Sequence, residues 1–374
     1  MVPIAQFEVR RRLQRFAGAT PPGRLGDTSL TLMSDPRTLP AIAQVAEIVY
    51  FDLRTPLRPW PQEIEQMHEL FAGLDHEFNV FCQVLPMWVP GDEDEPDVEE
   101  EQITIDGLDG NQLVLYVTRP QNQEVDLPAI VYFHGGCLIM IDINRFHRRW
   151  AKSLVLRGHV LVIPEFRNAW SKTRYNHFPA GLNDCVAAVD YVDTHRCDLG
   201  ISTITLHGDD GGANLAIATA LRAKREGWVK IIAGVSACSP YIGGEAHSWP
   251  IERKLAELPS LVENEGYLLD SPWLGPGARY YSPDNTTNPL AWPLFATEDD
   301  LTGLPPHSIV LDELTPVRDE GVVYYRKLVA AGVTATAFVQ LGVPHVGVLL
   351  FRRAIPDIYE NLCNHVSAFA KRLA

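Results

Sequence analysis

The chain has 374 residues, of which 46% are hydrophobic and 21% charged, so it is long enough for one α/β core with an additional cap. A net charge of −15, from 47 acidic and 32 basic residues, argues against a nucleic-acid partner or an anionic membrane surface. Six scattered cysteines without a CxxC pair predict free thiols, no disulfide framework and no zinc site.

The N-terminal sixteen residues are basic but lack the apolar run of a signal peptide, and no stretch approaches the roughly eighteen apolar residues of a membrane span. We therefore expect a cytoplasmic protein that acts on a small molecule and needs neither a metal nor a cofactor. The sequence leaves a homo-oligomer open.

Residues 1–100 are predicted to form a mainly helical cap region that ends in an acidic linker. Amphipathic segments at residues 42–49 and 61–74 have apolar side chains at helical spacing. The run 92–101 carries eight acidic residues and no basic one, which is typical of a solvated linker.

From residue 101 to 374 the pattern predicts one α/β core. Polar and apolar residues alternate on both sides of Asp109 and Gly110, which predicts a β-hairpin. Further strands are predicted at 128–134, 159–167, 202–208, 230–240, 308–314 and 334–341, and helices at 180–194, 213–225, 317–332 and 356–372. Continuous apolar strands that alternate with helices favour a mostly parallel sheet with helices on both faces.

A segment rich in Pro, Trp and Tyr, at about residues 241–306, interrupts this alternation. We predict that it is a cap insertion over the carboxyl ends of the strands, where such sheets bind ligands. Its aromatic side chains are consistent with an apolar pocket wall, or equally with packing of a cap onto the core.

The first candidate site motif is HGGC at residues 134–137, directly after a predicted strand. Adjacent glycines let successive backbone amides turn toward one point, as an oxyanion hole requires. Gly135 and Gly136 are therefore predicted donors.

The second motif is GDDGG at residues 208–212, between a predicted strand and a predicted helix. Glycines two positions before and two after the centre permit the sharp turn of a nucleophile elbow, which holds the central side chain above the sheet. That centre is usually a serine, and here it is Asp210. The amide of Gly211 would complete the oxyanion hole.

The third candidate is His345, on the loop after the last predicted strand. An α/β sheet with an elbow keeps its general base at this place. The three motifs occur in the expected order, each at the end of a strand, so together they predict one acyl-transfer site.

From about residue 101 to its end the chain resembles the hormone-sensitive-lipase-like esterases, and its helical N-terminal part does so less clearly. The matching segments are HGGC at 134–137, HFPAGLNDC at 177–185 (their FPA segment), GDDGGAN at 208–214 (their GDSAGGN elbow), TPVRDEG at 315–321 (their DPLRDEG) and VPH at 343–345. The resemblance implies an α/β-hydrolase fold, a helical cap and a carboxylic-ester hydrolase ancestry.

Two positions depart from the family pattern. Asp210 replaces the serine nucleophile, and Thr315 replaces the aspartate that orients the histidine. Asp210 has no proton to lose at neutral pH, so the usual serine route is closed. If another acid supports His345, Asp312 and Asp319 rank first because both flank Thr315, ahead of Glu313 and Glu320.

We consider three functions. The first is a hydrolase in which Asp210 attacks a small, largely apolar ester, lactone or epoxide-like substrate and His345 activates water. In a variation of this function, Asp210 is a general base for elimination or cyclisation. The second is a catalytically silent ligand-binding protein on the hydrolase fold. The third is an active-site variant of an ordinary carboxylesterase.

Overall fold

An eight-stranded sheet forms the centre of the computed structural model, which describes residues 27, 29–48, 61, 63–84, 98–143, 145–269 and 271–374. The strands are β1 (Val98–Asp106), β2 (Gln112–Pro120), β3 (Leu127–Phe133), β4 (Val160–Pro164), β5 (Ile201–Asp209), β6 (Ile232–Cys238), β7 (His307–Asp312) and β8 (Ala335–Gln340). Their order in the sheet is β1-β2-β4-β3-β5-β6-β7-β8.

The sheet is antiparallel at one edge and parallel elsewhere. β1 and β2 form the predicted hairpin, with Asp106 opposite Gln112, and β2 runs antiparallel to β4. All the remaining neighbours are parallel. The carboxyl ends of β3, β5 and β8 therefore lie along one edge of the sheet, and the three candidate motifs follow these strands in the sequence.

Helices cover both faces of this sheet. In chain order they are α1 (Pro40–Ile48), α2 (Ile64–Val84), α3 (Arg145–Val155), α4 (Ala180–Thr194), α5 (Arg196–Leu199), α6 (Gly211–Glu226), α7 (Ile251–Glu257), α8 (Ser260–Glu263), α9 (Ser271–Tyr281), α10 (Glu298–Leu301), α11 (Arg318–Ala330), α12 (Gly347–Leu350) and α13 (Pro356–Lys371). Successive residues of β3 enter different cores: Val131 and Phe133 pack in one cluster, Ile130 and Tyr132 in the other. The predicted fold class is confirmed.

Helix α3 is an element that the sequence reading did not predict. Its buried residues are His147, Trp150, Ala151, Leu154 and Val155, which follow the spacing of one helix face. Four of these five positions are apolar, and basic residues occupy most of the positions between them, so the amphipathic pattern is present in the sequence.

The acidic run belongs in part to the sheet. Strand β1 begins at Val98, so Glu99, Glu100 and Glu101 lie in a strand and not in a linker. The guanidinium of Arg119 on β2 pairs with Glu101, and that of Arg148 lies 2.8 Å from Glu100. The prediction of a linker was therefore wrong for these residues, and residues 92–97 lie outside the described ranges.

Aromatic side chains join the N-terminal helix α2 to the segment 241–306. The ring of Phe71 packs edge-on against Trp273 and Tyr280, at centroid distances of 6.5 and 4.7 Å. Both tyrosine and tryptophan belong to α9, which lies inside the predicted cap insertion. These contacts join the two predicted parts of the cap to each other, so they favour a packing role for these aromatic side chains.

Within the described part of the chain, no helix is both long and apolar enough to cross a bilayer. The cysteines described there, Cys137, Cys185, Cys197, Cys238 and Cys363, have free thiols.

Candidate active site

Asp210 lies on the turn between β5 and α6, with φ 53° and ψ −119°. Side chains other than glycine rarely adopt positive φ, and such a conformation costs about 1–3 kcal/mol. Two glycines make the turn sterically feasible. A Cβ on Gly208 would lie 2.3 Å from the carbonyl carbon of Gly212, and a Cβ on Gly212 would lie 2.0 Å from the carbonyl oxygen of Phe133. The turn has the geometry that the GDDGG spacing predicts.

The two carboxylate oxygens of Asp210 have different partners. Oδ2 accepts hydrogen bonds from the amides of Gly136, at 3.0 Å, and Cys137, at 2.6 Å. Oδ1 faces Nε2 of His345 at 3.2 Å, an ion-pair distance without the alignment of a good hydrogen bond. The thiol of Cys137 lies 3.7 Å from the same Oδ1. The carboxylate thus connects the loop after β3 with the loop after β8.

The amides that meet Oδ2 lie one residue further along the chain than predicted. Gly136 has φ 134°, and a Cβ there would lie 2.1 Å from the carbonyl oxygen of Met140, so only glycine fits. This conformation turns the amides of residues 136 and 137 toward Asp210, while the amide of Gly135 donates to the carboxylate of Asp209. The amide of Gly135 thus acts on Asp209 in this structure, and its role as a hole donor stays a prediction.

Gly211, the third predicted donor, is the first residue of α6 and is buried against the same loop. A Cβ on it would lie 2.5 Å from the amide nitrogen of Leu138. Its contribution to an oxyanion hole stays a prediction.

His345 and Thr315 are in direct contact, and both are buried. Oγ1 of Thr315 lies 2.8 Å from Nδ1 of His345 and accepts a further hydrogen bond from the amide of Val317 at 3.3 Å. The structure therefore puts Thr315 where the resemblance places the orienting acid.

The partners of His345 determine which of its nitrogens carries the proton in the neutral ring. A carboxylate only accepts hydrogen bonds, so the favoured neutral ring has its proton on Nε2, facing Asp210. Nδ1 then accepts from the hydroxyl of Thr315. A serine triad has the opposite arrangement, with the proton on the nitrogen that faces the acid. Because a hydroxyl both donates and accepts, Thr315 is compatible with either tautomer and with the protonated ring.

The adjacent carboxylates of Asp209 and Asp210 have opposite pKa shifts. Burial acts to raise the pKa of Asp210, but His345 and the amides of Gly136 and Cys137 outweigh burial and leave this pKa below its ordinary value. Burial raises the pKa of Asp209 to about 7, and the charge of Asp210 adds to this, although Tyr132 donates to Asp209 at 2.5 Å. Asp210 is therefore an anion at neutral pH.

The two candidates for a substitute acid have different surroundings. Asp319 accepts from the amide of Ser260 at 2.7 Å and pairs with Arg318 at 2.8 Å, so it belongs to the cap contact and not to His345. Asp312 is 3% exposed, and the amide of Val346, next to His345, is among the groups that lower its pKa. Of these two residues, only Asp312 therefore stays a candidate for the acid that supports His345.

Two residues of the site were not anticipated from the sequence. The HGGC motif predicts only its two glycines as donors and not the amide of Cys137. The type of a side chain gives no information on where the amide of the same residue points. The elbow spacing does not predict a role for Asp209, because it defines only the central residue. Its position directly before that centre, inside a strand end, was the available signal.

Comparison with known proteins shows the family to which the chain belongs. A family model described as alpha/beta hydrolase fold matches residues 130–349. The solved structure of brefeldin A esterase, described as a bacterial homologue of human hormone-sensitive lipase, is 40% identical with a TM-score of 0.90, covering 95% of this chain and 99% of that one. The chain belongs to the hormone-sensitive-lipase-like esterases of the α/β-hydrolase fold.

Two other family members are similar over most of their length. Esterase Est22 is 32% identical with a TM-score of 0.79, covering 91% of this chain and 99% of that one. Carboxylesterase NlhH of Mycobacterium tuberculosis is 28% identical over 290 residues, which are 74% of this chain and 83% of NlhH. The chain is thus a carboxylesterase-like hydrolase in family and fold.

Proposed function

We propose that this protein is a hydrolase in which the carboxylate of Asp210 is the nucleophile and His345 activates the water of the second step. The observation that carries the proposal is that the two oxygens of one carboxylate have different partners. Oδ2 accepts hydrogen bonds from two backbone amides, and Oδ1 faces the imidazole ring.

These different partners of Oδ1 and Oδ2 are suited to a two-step reaction. In the first step Oδ1 attacks an electrophilic carbon of the substrate, the bond from that carbon to the leaving oxygen breaks, an ester of Asp210 forms, and the leaving oxygen takes a proton from solvent. In the second step His345 takes a proton from water, which adds to the carboxyl carbon of Asp210, and negative charge develops on Oδ2. That oxygen already lies at the amides of Gly136 and Cys137, so the hole would stabilise the enzyme's own ester as it is hydrolysed. Collapse of this intermediate expels the product oxygen, which receives the proton from His345, and restores the carboxylate of Asp210.

The same geometry narrows the substrate class. An ester attacked at its acyl carbon needs the oxyanion hole for its own carbonyl oxygen, and Oδ2 of Asp210 fills that position. An epoxide, or a strained lactone attacked at its alkyl carbon, develops charge on the leaving oxygen instead and leaves Oδ2 in place. We therefore expect small epoxides and strained lactones to react faster than unstrained esters.

His345 must change its role between the two steps. Its Nε2 faces the anion of Asp210 at 3.2 Å, and esterification of Oδ1 removes that negative charge. Nε2 is then required without its proton, as a base toward water. The hydroxyl of Thr315 permits this exchange because it can accept from Nδ1 as well as donate to it.

The test is a single turnover in water enriched in heavy oxygen, with a panel of small epoxides, lactones and p-nitrophenyl esters. Attack of water on the carboxyl carbon places the label in Asp210, which mass spectrometry of the elbow peptide detects. His345→Gln should accumulate the ester on the same peptide, and Asp210→Asn in that background should carry no adduct. Turnover with label only in the product, and none in the elbow peptide, would rule out a covalent role for Asp210.

One observation favours a second candidate, a catalytically silent ligand-binding protein. The pKa of Asp210 lies below its ordinary value because His345 and two amides outweigh the effect of burial, and a carboxylate stabilised in this way is a weaker nucleophile and base. In that case none of the panel turns over, while small apolar molecules still raise the thermal unfolding midpoint of the intact protein.

A further inference from the structure

Asp312 is a buried carboxylate that connects three strand ends near His345 without belonging to any motif. It is the last residue of β7 and is 3% exposed. Oδ2 accepts from the hydroxyl of Ser239, just beyond β6, at 2.7 Å, and Oδ1 accepts from the side-chain amide of Gln340, the last residue of β8, at 3.1 Å.

Asp312 also interacts with the two segments that carry His345 and Thr315. The amide of Val346, the residue that follows His345, lowers the pKa of the Asp312 carboxylate. Its carbonyl oxygen lies 3.5 Å from the amide nitrogen of Thr315. A negative charge is thereby fixed beside the His345 loop, although the ring itself touches Thr315 and Asp210.

The charge state of Asp312 depends on these partners. Burial raises its pKa to about 6, against the lowering effects of Ser239, His345, the amide of Val346 and Gln340. Asp312 is therefore mostly ionised at neutral pH. The other carboxylates whose charge acts on His345 are Asp210, across Nε2, and Asp209 behind the elbow, whose pKa burial raises to about 7.

We propose that the two tasks of a catalytic acid are divided in this protein, so that Thr315 orients the ring of His345 and Asp312 supplies the negative charge that stabilises its protonated form. The argument rests on the contacts of residues 312, 315 and 346 and holds whatever Asp210 does. If the proposed function is also right, Asp312 matters most after Asp210 is esterified, because the charge of Asp210 is then absent.

The test is an NMR titration of His345 in the full-length protein with ¹³C-labelled histidine rings, where the spectrum of His345→Gln assigns the signal. Asp312→Asn should move the midpoint of the His345 titration to lower pH by about one unit, as expected for removal of one nearby buried charge. Asp319→Asn is the matched control, since it removes a carboxylate that also flanks Thr315 in sequence but contacts Ser260 and Arg318, and it should leave the midpoint unchanged.

A rescue separates charge from structure. Thr315→Asp in the Asp312→Asn background should return the midpoint to the parental value or above it, because the charge then lies against Nδ1. A folded Asp312→Asn protein with the parental midpoint would overturn the proposal. If that variant does not fold, the comparison is made between Thr315→Asp and Thr315→Asp/Asp312→Asn, and equal midpoints there would overturn it as well.

The titration is independent of turnover. A parent protein that hydrolyses no member of the substrate panel argues against Asp210 as a nucleophile and leaves the midpoint comparison intact. Conversely, normal labelling of Asp210 together with equal midpoints would retain the nucleophile and reject Asp312 as the source of charge.

Discussion

The two sides of the His345 ring differ in where the charge lies. On the Nε2 side Asp210 presents a carboxylate at 3.2 Å, and on the Nδ1 side Thr315 presents an uncharged hydroxyl at 2.8 Å. The family pattern that the chain resembles has these chemistries exchanged, with a serine hydroxyl facing one nitrogen and an aspartate facing the other. The site thus keeps one hydroxyl and one carboxylate on the ring but reverses their positions.

This exchange shows that the same backbone geometry can hold side chains of different chemistry in this fold. Steric demands of Gly208, Gly212 and Gly136 hold the backbone of the elbow and of the glycine loop. The histidine loop begins at Gly342, where a Cβ would lie 2.6 Å from the carbonyl oxygen of Arg37. The side chains that enter this frame decide the reaction. A carboxylate at the elbow reaches the amides of Gly136 and Cys137, and its side chain is one bond longer than that of serine.

The largest expected effect comes from restoring the family arrangement on both sides of the ring. Asp210→Ser with Thr315→Asp should hydrolyse short-chain p-nitrophenyl esters, since Asp210→Ser frees the amides of Gly136 and Cys137 and supplies a hydroxyl. Asp210→Ser alone lacks the acid, whose loss from a triad costs on the order of 10⁴ in turnover. Thr315→Asp alone should stay at background, so the effects are strongly non-additive.

Full activity of the single Asp210→Ser protein would contradict this comparison of the two sides. It would mean that the acid function does not require a carboxylate against Nδ1, and would favour Asp312 as sufficient. A folded but inactive double variant would mean that the pocket differs from an esterase in more than these two side chains.

A second, smaller effect concerns the pH dependence of stability at the elbow. The pKa of Asp209 is raised to about 7 by burial, so its contribution to stability is complete at low pH and is lost as the pH rises through about 7. The difference in unfolding midpoint between the parent and Asp209→Asn should therefore decline by a few degrees from about pH 4 to pH 8.

Asp210→Asn is the matched neighbour and should behave in the opposite way. The pKa of Asp210 lies below 3.8, so its contribution is present above that value and is lost as the pH falls through the lower pKa of the folded state. Thermal unfolding of both variants and the parent across pH measures this, and parallel curves would contradict the assigned charge states.

The smallest expected effect is on the Nδ1 side. Thr315→Val keeps the shape of the side chain but leaves Nδ1 of His345 buried without its hydroxyl partner, which should lower the free energy of unfolding by about 1 kcal/mol. Thr219→Val is the control, because Thr219 is equally buried and its hydroxyl has no hydrogen-bond partner in the structure. Chemical denaturation should show no loss for the control, and equal losses would mean that the contact with His345 contributes nothing to stability.

The sequence by itself determined the fold class and the three loops of the site. Apolar strands that alternate with amphipathic helices leave few architectures, and paired glycines at fixed spacing are required where the backbone turns or approaches itself closely. The identity of Asp210 and Thr315, and hence the closure of the serine route, was also readable, because it depends only on which side chain occupies a position.

Tertiary structure alone decided how these groups act on one another. Which amides meet Oδ2 depends on the φ of Gly136, and which acid serves His345 depends on where Asp312 and Asp319 point after the strands pair. Neither follows from residue type, because both carboxylates flank Thr315 in the chain. The opposite shifts of Asp209 and Asp210 have the same origin: neighbours in sequence face different partners once the elbow turns, and electrostatic energies depend on distance and burial in space.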